Sequence, residues 1–223
     1  MKIDLEKYDE QHAAYIEALS KKLDSIYNSI IRQAVKYGLS VNFDPEEGEI
    51  FDFDNFPRIK KKVEDLFKEM HEQITTLVLN GINEEWQFSG DKNDFLLYEI
   101  LSIGGMSKSE IETYLEKITI ATQARRNEAL EAFRTRKQNG LGLSDRVWNL
   151  TNQFKSELEL ALDVGIGEGK SADAISRDIR SYLNQPDKLF RRVRNKHGNL
   201  KLSKAAAAYH PGQGVYRSSY KNA

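Results

Sequence analysis

The sequence predicts a mainly α protein: an elongated bundle of long antiparallel helices, with a small β-hairpin insertion and a short basic β-ribbon near the C-terminus. Three observations carry that expectation. Apolar residues recur every three or four positions over most of residues 4 to 184, which is the helical period. The period switches to two only in two short stretches. Finally, a chain of 223 residues that is 30% charged and 39% hydrophobic suits long, solvated helices better than a compact enzyme.

The first helix is read from Leu5, Tyr8, His12, Tyr15, Leu19, Leu23, Ile26, Ile30 and Ala34, which share one face, with Gly38 as its stop. Ile59, Val63, Leu66, Met70, Ile74, Leu77 and Gly81 form a second seam, with Pro57 suited to the first turn. Two such amphipathic rods are unstable alone and are expected to pack antiparallel. Between them, Val41 and Phe43, then Phe51 and Phe53, alternate with polar residues around the turn-forming "DPEEG", the pattern of an acidic hairpin near residues 40–54. Its acids do not follow the EF-hand spacing, because the glycine is misplaced and no glutamate closes the loop.

After "SGDKN", Phe95, Leu96, Ile100 and Leu101 predict a short buried helix ending at Gly104-Gly105. Ser107 and Glu110 then offer a capping box to a helix that carries Ile111, Tyr114, Leu115, Ile118, Ala121, Leu130 and Phe133. Its far half, "QARRNEALEAFRTRKQNG", intersperses acids with arginines and reads as a solvated face. These elements make up a long-helix region over 1–140. A second unit, 143–185, opens with Ser144 as cap and Leu143 and Trp148 placed as a hydrophobic staple. Val147, Phe154, Leu158 and Ala161 continue its core stripe. Gly165, Gly167 and Gly169 break that helix, and Ser171 opens another with Ala172, Ile175, Ile179 and Leu183 on its apolar face. The second helix offers only Arg177 and Arg180, beside Asp173 and Asp178, which favours a packed hairpin over a DNA-reading helix-turn-helix.

Charge separates the end of the chain from the rest. Residues 186–223 hold nine Lys or Arg against one acid, Asp187, a net +8 in a chain of net −1, so residues 1–185 carry −9. Such asymmetry gives the basic end an affinity for polyanions that the body lacks. In "FRRVRNKHGNLKLS" a glycine turn separates two short runs, which reads as a two-stranded ribbon able to follow a phosphate backbone. The candidate nucleic-acid-binding residues are Arg191, Arg192, Arg194, Lys196, Lys201, Lys204, Arg217 and Lys221. A docking role for these cations, against the acidic body or a partner, is the alternative.

No constellation reads as catalytic, and neither a cofactor nor a metal is expected. His12, His71, His197 and His210 lack zinc-ligand spacing, cysteine is absent, "PGQG" lacks the lysine and strand-to-helix context of a phosphate loop, and Tyr209, Tyr216 and Tyr220 lack a recombinase-type arginine box. No apolar run reaches membrane-span length and the start lacks a signal-peptide core, so a soluble protein with no membrane partner is expected.

The stretch "LSDRVWNLTNQFKSELELALDVGIGEGKSADAISRDIRSYL", with "YHPGQGVYRSSYKNA" after the basic ribbon, resembles the minor head, or head morphogenesis, proteins of tailed phages and prophages, including the Mu-like minor capsid proteins. The resemblance runs from about Leu143 to the C-terminus and is carried best by the Trp148 helix, by "GIGEGKSADAIS" and by "PGQGVYRSSYKNA". It implies a non-enzymatic component of the virion or procapsid, made in the host cytoplasm. Its partners would be the portal and capsid proteins and, for some members, DNA. Members continue into a helix with an Arg-Thr-Glu-type motif, so the resemblance also implies that the sequence stops short of that element.

Overall fold

The computed structural model describes residues 5–43, 51–183, 192–194 and 200–202. It is mainly helical. Five α-helices are described: α1 (Glu6–Leu39), α2 (Pro57–Ile103), α3 (Lys108–Thr135), α4 (Leu143–Gly167) and α5 (Ala172–Leu183). They pack as two compact units, each drawn from two separate stretches of chain. Unit 1 takes residues 1–24 and 72–147; unit 2 takes 25–71 and 148–223.

In unit 1 the α1 and α2 segments run antiparallel. Leu19 approaches Gly81, His12 pairs with Glu85 at 2.8 Å, and Asp9 pairs with Lys92 at 2.6 Å, so positions fall along one helix as they rise along the other. A Cβ on Gly81 would stand 3.2 Å from the Leu19 side chain, so the missing side chain is what lets the two helices close there. The break expected at "SGDKN" does not occur: α2 passes through it as one helix of 47 residues. Tertiary ties override the weak helix formers, because Lys92 is held by Asp9 and Asp94 accepts from Arg126 of α3 at 3.1 Å. The end at Gly104-Gly105 is as expected, with Gly105 at φ +90° and the Met106 amide returning to the Leu101 carbonyl. The Ser107–Glu110 capping box is fully formed. After α3, Asn139 (φ +53°) and Gly140 (φ +81°) make the tight turn that pairs Gln138 with Leu141.

Unit 2 holds most of the fully buried side chains. Its buried side chains include Ile30, Ile31, Ala34 and Val35 of α1, Val63, Phe67 and Met70 of α2, and Phe154, Leu158 and Leu162 of α4. Tyr27 stands edge-on to Phe154 with ring centroids 4.8 Å apart, and Gly38 lies under Leu162, so α4 runs parallel to α1. Phe67 against Phe154 and His71 against Trp148 make it antiparallel to α2. At Gly165 a Cβ would sit 2.5 Å from Ile175, so glycine is what brings α5 onto α4. Gly169, at φ +65°, ends the connection, and Ser171 caps α5 through the Ala174 amide.

Two expectations fail along α4. Trp148 is 43% exposed, not buried beneath a staple. The buried seam follows Thr151, Phe154 and Leu158, and Trp148 stands six residues from Phe154, about 240° around the helix and therefore off that face. Ser144 is not the cap either: α4 begins at Leu143, and the Gly142 amide donates to the Asp145 carboxylate at 2.9 Å.

The acidic hairpin is also corrected, as far as it is described. Residues 44–50 lie outside the described residues, and 41–43 and 51–56 contain no strand. Phe51 and Phe53 are both fully buried, as the alternation required, but their amides donate to side chains of α4 where a hairpin would supply carbonyls. Phe53–Asn55 closes as a 3-10 turn capped by Asp52. At the C-terminal end, β1 (Arg192–Arg194) pairs antiparallel with β2 (Leu200–Leu202), in the register Arg192–Leu202, Val193–Lys201, Arg194–Leu200. The residues that join them lie outside the described residues.

Candidate functional site

Most of the predicted nucleic-acid interface cannot be placed. Arg191, Lys196, Lys204, Arg217 and Lys221 lie outside the described residues. Arg192, Arg194 and Lys201 are placed by their backbones on the β1–β2 ladder, and its register sets each cation opposite an aliphatic residue, so no two of the three face one another across the strands. The described parts of the molecule instead bring together two arrangements that the sequence did not disclose.

The first is an apolar groove in unit 1. Leu77, Val78, Ile82 and Trp86 of α2 form one wall, Ile16, Leu19 and Leu23 of α1 the other, and Phe133 of α3 stands at its edge, around a volume of about 580 Å³. Helical periodicity explains the surplus of apolar surface. In α1 and α2 these residues extend the same stripes that bury Ile30 and Met70 in unit 2, but no described residue of unit 1 covers them fully. Ile16 is 47% exposed and Phe133 46% exposed.

Glu85 alone among the groove's lining residues is ionisable. It takes His12 at 2.8 Å, and its neighbour Glu84 accepts a hydrogen bond from Tyr15. Desolvation, the Glu84 bond and the charges of Glu84 and Glu85 push the Tyr15 hydroxyl up to about 12. Two carboxylates thus stand at the groove, one of them paired with His12, and Arg136 lies over the Phe133 ring at 5.2 Å. The sequence placed His12 on a packed seam; it is instead half-exposed and spent on a rim carboxylate.

The second arrangement clamps residues 51–54 to α4 in unit 2. Phe51 N–H donates to Asp163 Oδ1 at 3.2 Å and Phe53 N–H to Glu159 Oε1 at 3.3 Å. Lys155 bonds Asp54 at 3.1 Å and lies 3.6 Å from Glu159. Burial pushes Glu159 up to about 7, and the nearby charge of Asp52 adds to the effect; the attraction of Lys155 and the Phe53 amide do not offset it. Lys155 is drawn down by burial, but its bond to Asp54 and the surrounding carboxylates hold it above its ordinary value. Among the described residues no group of His, Cys, Asp and Glu is placed to hold a metal ion. The chemistry of this cluster is that of a clamp whose charge changes near neutral pH. No helix among the described residues is long and apolar enough to cross a membrane.

Comparison with protein-family models, with curated proteins and with solved structures finds no match to this chain.

Proposed function

We propose that the chain is a structural minor head protein of a tailed phage or prophage, acting in head morphogenesis at the portal vertex and not as an enzyme. The observation that carries this reading is the run from Leu143 to Ala223, with its Trp148 helix, its "GIGEGKSADAIS" connection and its "PGQGVYRSSYKNA" end. In this reading the helical units dock on portal or capsid protein, and the basic segment meets packaged DNA or another anionic surface in the procapsid interior. The acidic body and the +8 end fit that division of labour. The test is co-expression with the portal protein encoded beside it, followed by purification on a tag carried by the portal. Stoichiometric co-purification that survives nuclease treatment is the expected result, and clean separation of the two proteins would overturn the reading.

A second reading rests on the nine cations facing a single acid in residues 186–223: a sequence-independent nucleic-acid-binding protein without a virion role. If about six of them neutralise phosphates, affinity for random duplex DNA falls by roughly three orders of magnitude between 50 and 200 mM salt. Fluorescence anisotropy of the full chain and of a chain lacking 186–223 separates the possibilities. Salt-sensitive binding lost with the segment, in a protein that ignores the portal, favours this second reading.

A further inference from the structure

The groove of unit 1 goes beyond either reading and stands whichever holds. We propose that it is the docking site for an amphipathic helix of another protein, one that carries Lys or Arg beside an aliphatic face. Three helices surround an open apolar trough that a fourth would fill, and helix-in-groove recognition uses such anchors at three- and four-residue spacing. Along α2 the trough runs from Leu77 to Ser89, about 18 Å at 1.5 Å per residue, so an occupant of three to four turns matches it.

Charge favours a cationic occupant. The single ionisable lining residue is Glu85, which takes His12 at 2.8 Å; Glu84 stands beside it, Lys21 of α1 is already held by Glu17 at 2.6 Å, and Arg136 lies over the Phe133 ring at 5.2 Å. The two stretches that form unit 1 contain 18 acidic and 13 basic residues, a net −5. A second copy laid face to face would set like charges together, which disfavours it, whereas a cationic helix gains from the same field.

The protein supplies its own reporter. Trp86 lines the groove, and Trp148 is the only other tryptophan, so the full chain carrying Trp148→Phe reports on the groove alone. Three synthetic 16-residue peptides are titrated into it: one with a leucine stripe flanked by lysines, the same stripe flanked by glutamates, and a lysine peptide with the leucines scrambled. The expected result is a saturable blue shift of Trp86 with the first peptide, at least tenfold weaker with each of the others. Glu84→Gln with Glu85→Gln should narrow the preference for lysine over glutamate to less than threefold. Ile16→Asp and Phe133→Asp, at positions already half-exposed, should weaken binding at least tenfold while circular dichroism stays unchanged.

Equal binding of the lysine and glutamate peptides, or a saturable shift with none, overturns the proposal. It is also overturned if sedimentation equilibrium finds a dimer that Ile16→Asp dissociates, which assigns the groove to a second copy. Removal of residues 186–223 that newly exposes Trp86 to acrylamide would assign it to the chain's own end, with the same consequence.

Discussion

The two units are built from the same kind of helix and differ in what they bury. In unit 2 the stripes of α1, α2 and α4 close on one another, and Ile31, Phe53, Met70, Leu158 and Leu162 are sealed. In unit 1 only Ile74, Ile111 and Val147 are buried among the described large apolar side chains, while Ile16, Ile100, Ile103, Tyr114, Ile120 and Phe133 remain substantially exposed. An amphipathic stripe is therefore no measure of a core. The same periodicity supports a closed core where a third layer meets it and a solvent-facing groove where none does.

The sharpest way to break this comparison is truncation in both units. Phe154→Ala removes a ring packed against Tyr27 and Phe67 and should cost about 3–5 kcal/mol, whereas Ile16→Ala should cost under ~1 kcal/mol; equal losses in denaturant titrations would show that unit 1 is as closed as unit 2.

A pH series comes next in size. Glu159 is held near 7 in the folded chain, above the ordinary carboxylate value of 4.5, so the folded state keeps a proton that the unfolded chain releases. Its contribution is therefore greatest at acidic pH and is lost as pH rises from about 4.5 to about 7, by on the order of 3 kcal/mol. Amide exchange at Phe51 and Phe53 should quicken over that range beyond its intrinsic pH dependence, and Glu159→Gln should flatten the profile. A profile unchanged by the substitution would remove Glu159 as its source.

Smaller effects sharpen the contrast within single helices. Gly165→Ala forces a methyl against Ile175 and should destabilise by about 1–3 kcal/mol, while Gly167→Ala, which meets nothing within 4 Å, should be neutral or stabilise by up to ~1 kcal/mol. Smallest of all, Ile120→Ser, at a residue 71% exposed, should change the melting temperature by no more than a degree or two while raising solubility.

Local signals in the sequence transferred well. The Ser107–Glu110 box, the glycines at 104–105, Pro57 in the first turn of α2 and Ser171 as a cap all act as short-range chemistry says they should. The misreadings share one cause, which is a partner distant in sequence. "SGDKN" looks like a break until Asp9 and Arg126 hold its neighbours, and residues 51–53 look like a strand until Asp163 and Glu159 take their amides. Trp148 looked like an anchor because its neighbour Leu143 suggested a staple, but helix phase set by Thr151 and Phe154 turns it outward. The groove was hidden for the complementary reason. Sequence shows which residues are apolar, and it does not show that none of the described residues covers Ile16 or Phe133.

The discontinuous make-up of the units also bears on how the chain folds as it leaves the ribosome. Residues 25–71 are made before the α4 segment whose Phe154 packs on Tyr27 and Phe67, which begins only at residue 148. At about 5–20 residues per second, that partner is synthesised roughly 4–15 s later. Both stretches of unit 1, by contrast, have been translated by residue 147. The more loosely buried unit is thus free to close first, and the apolar stripe of the denser one must stay unpaired until nearly the whole helical body has emerged, an interval in which a nascent-chain chaperone has its clearest substrate.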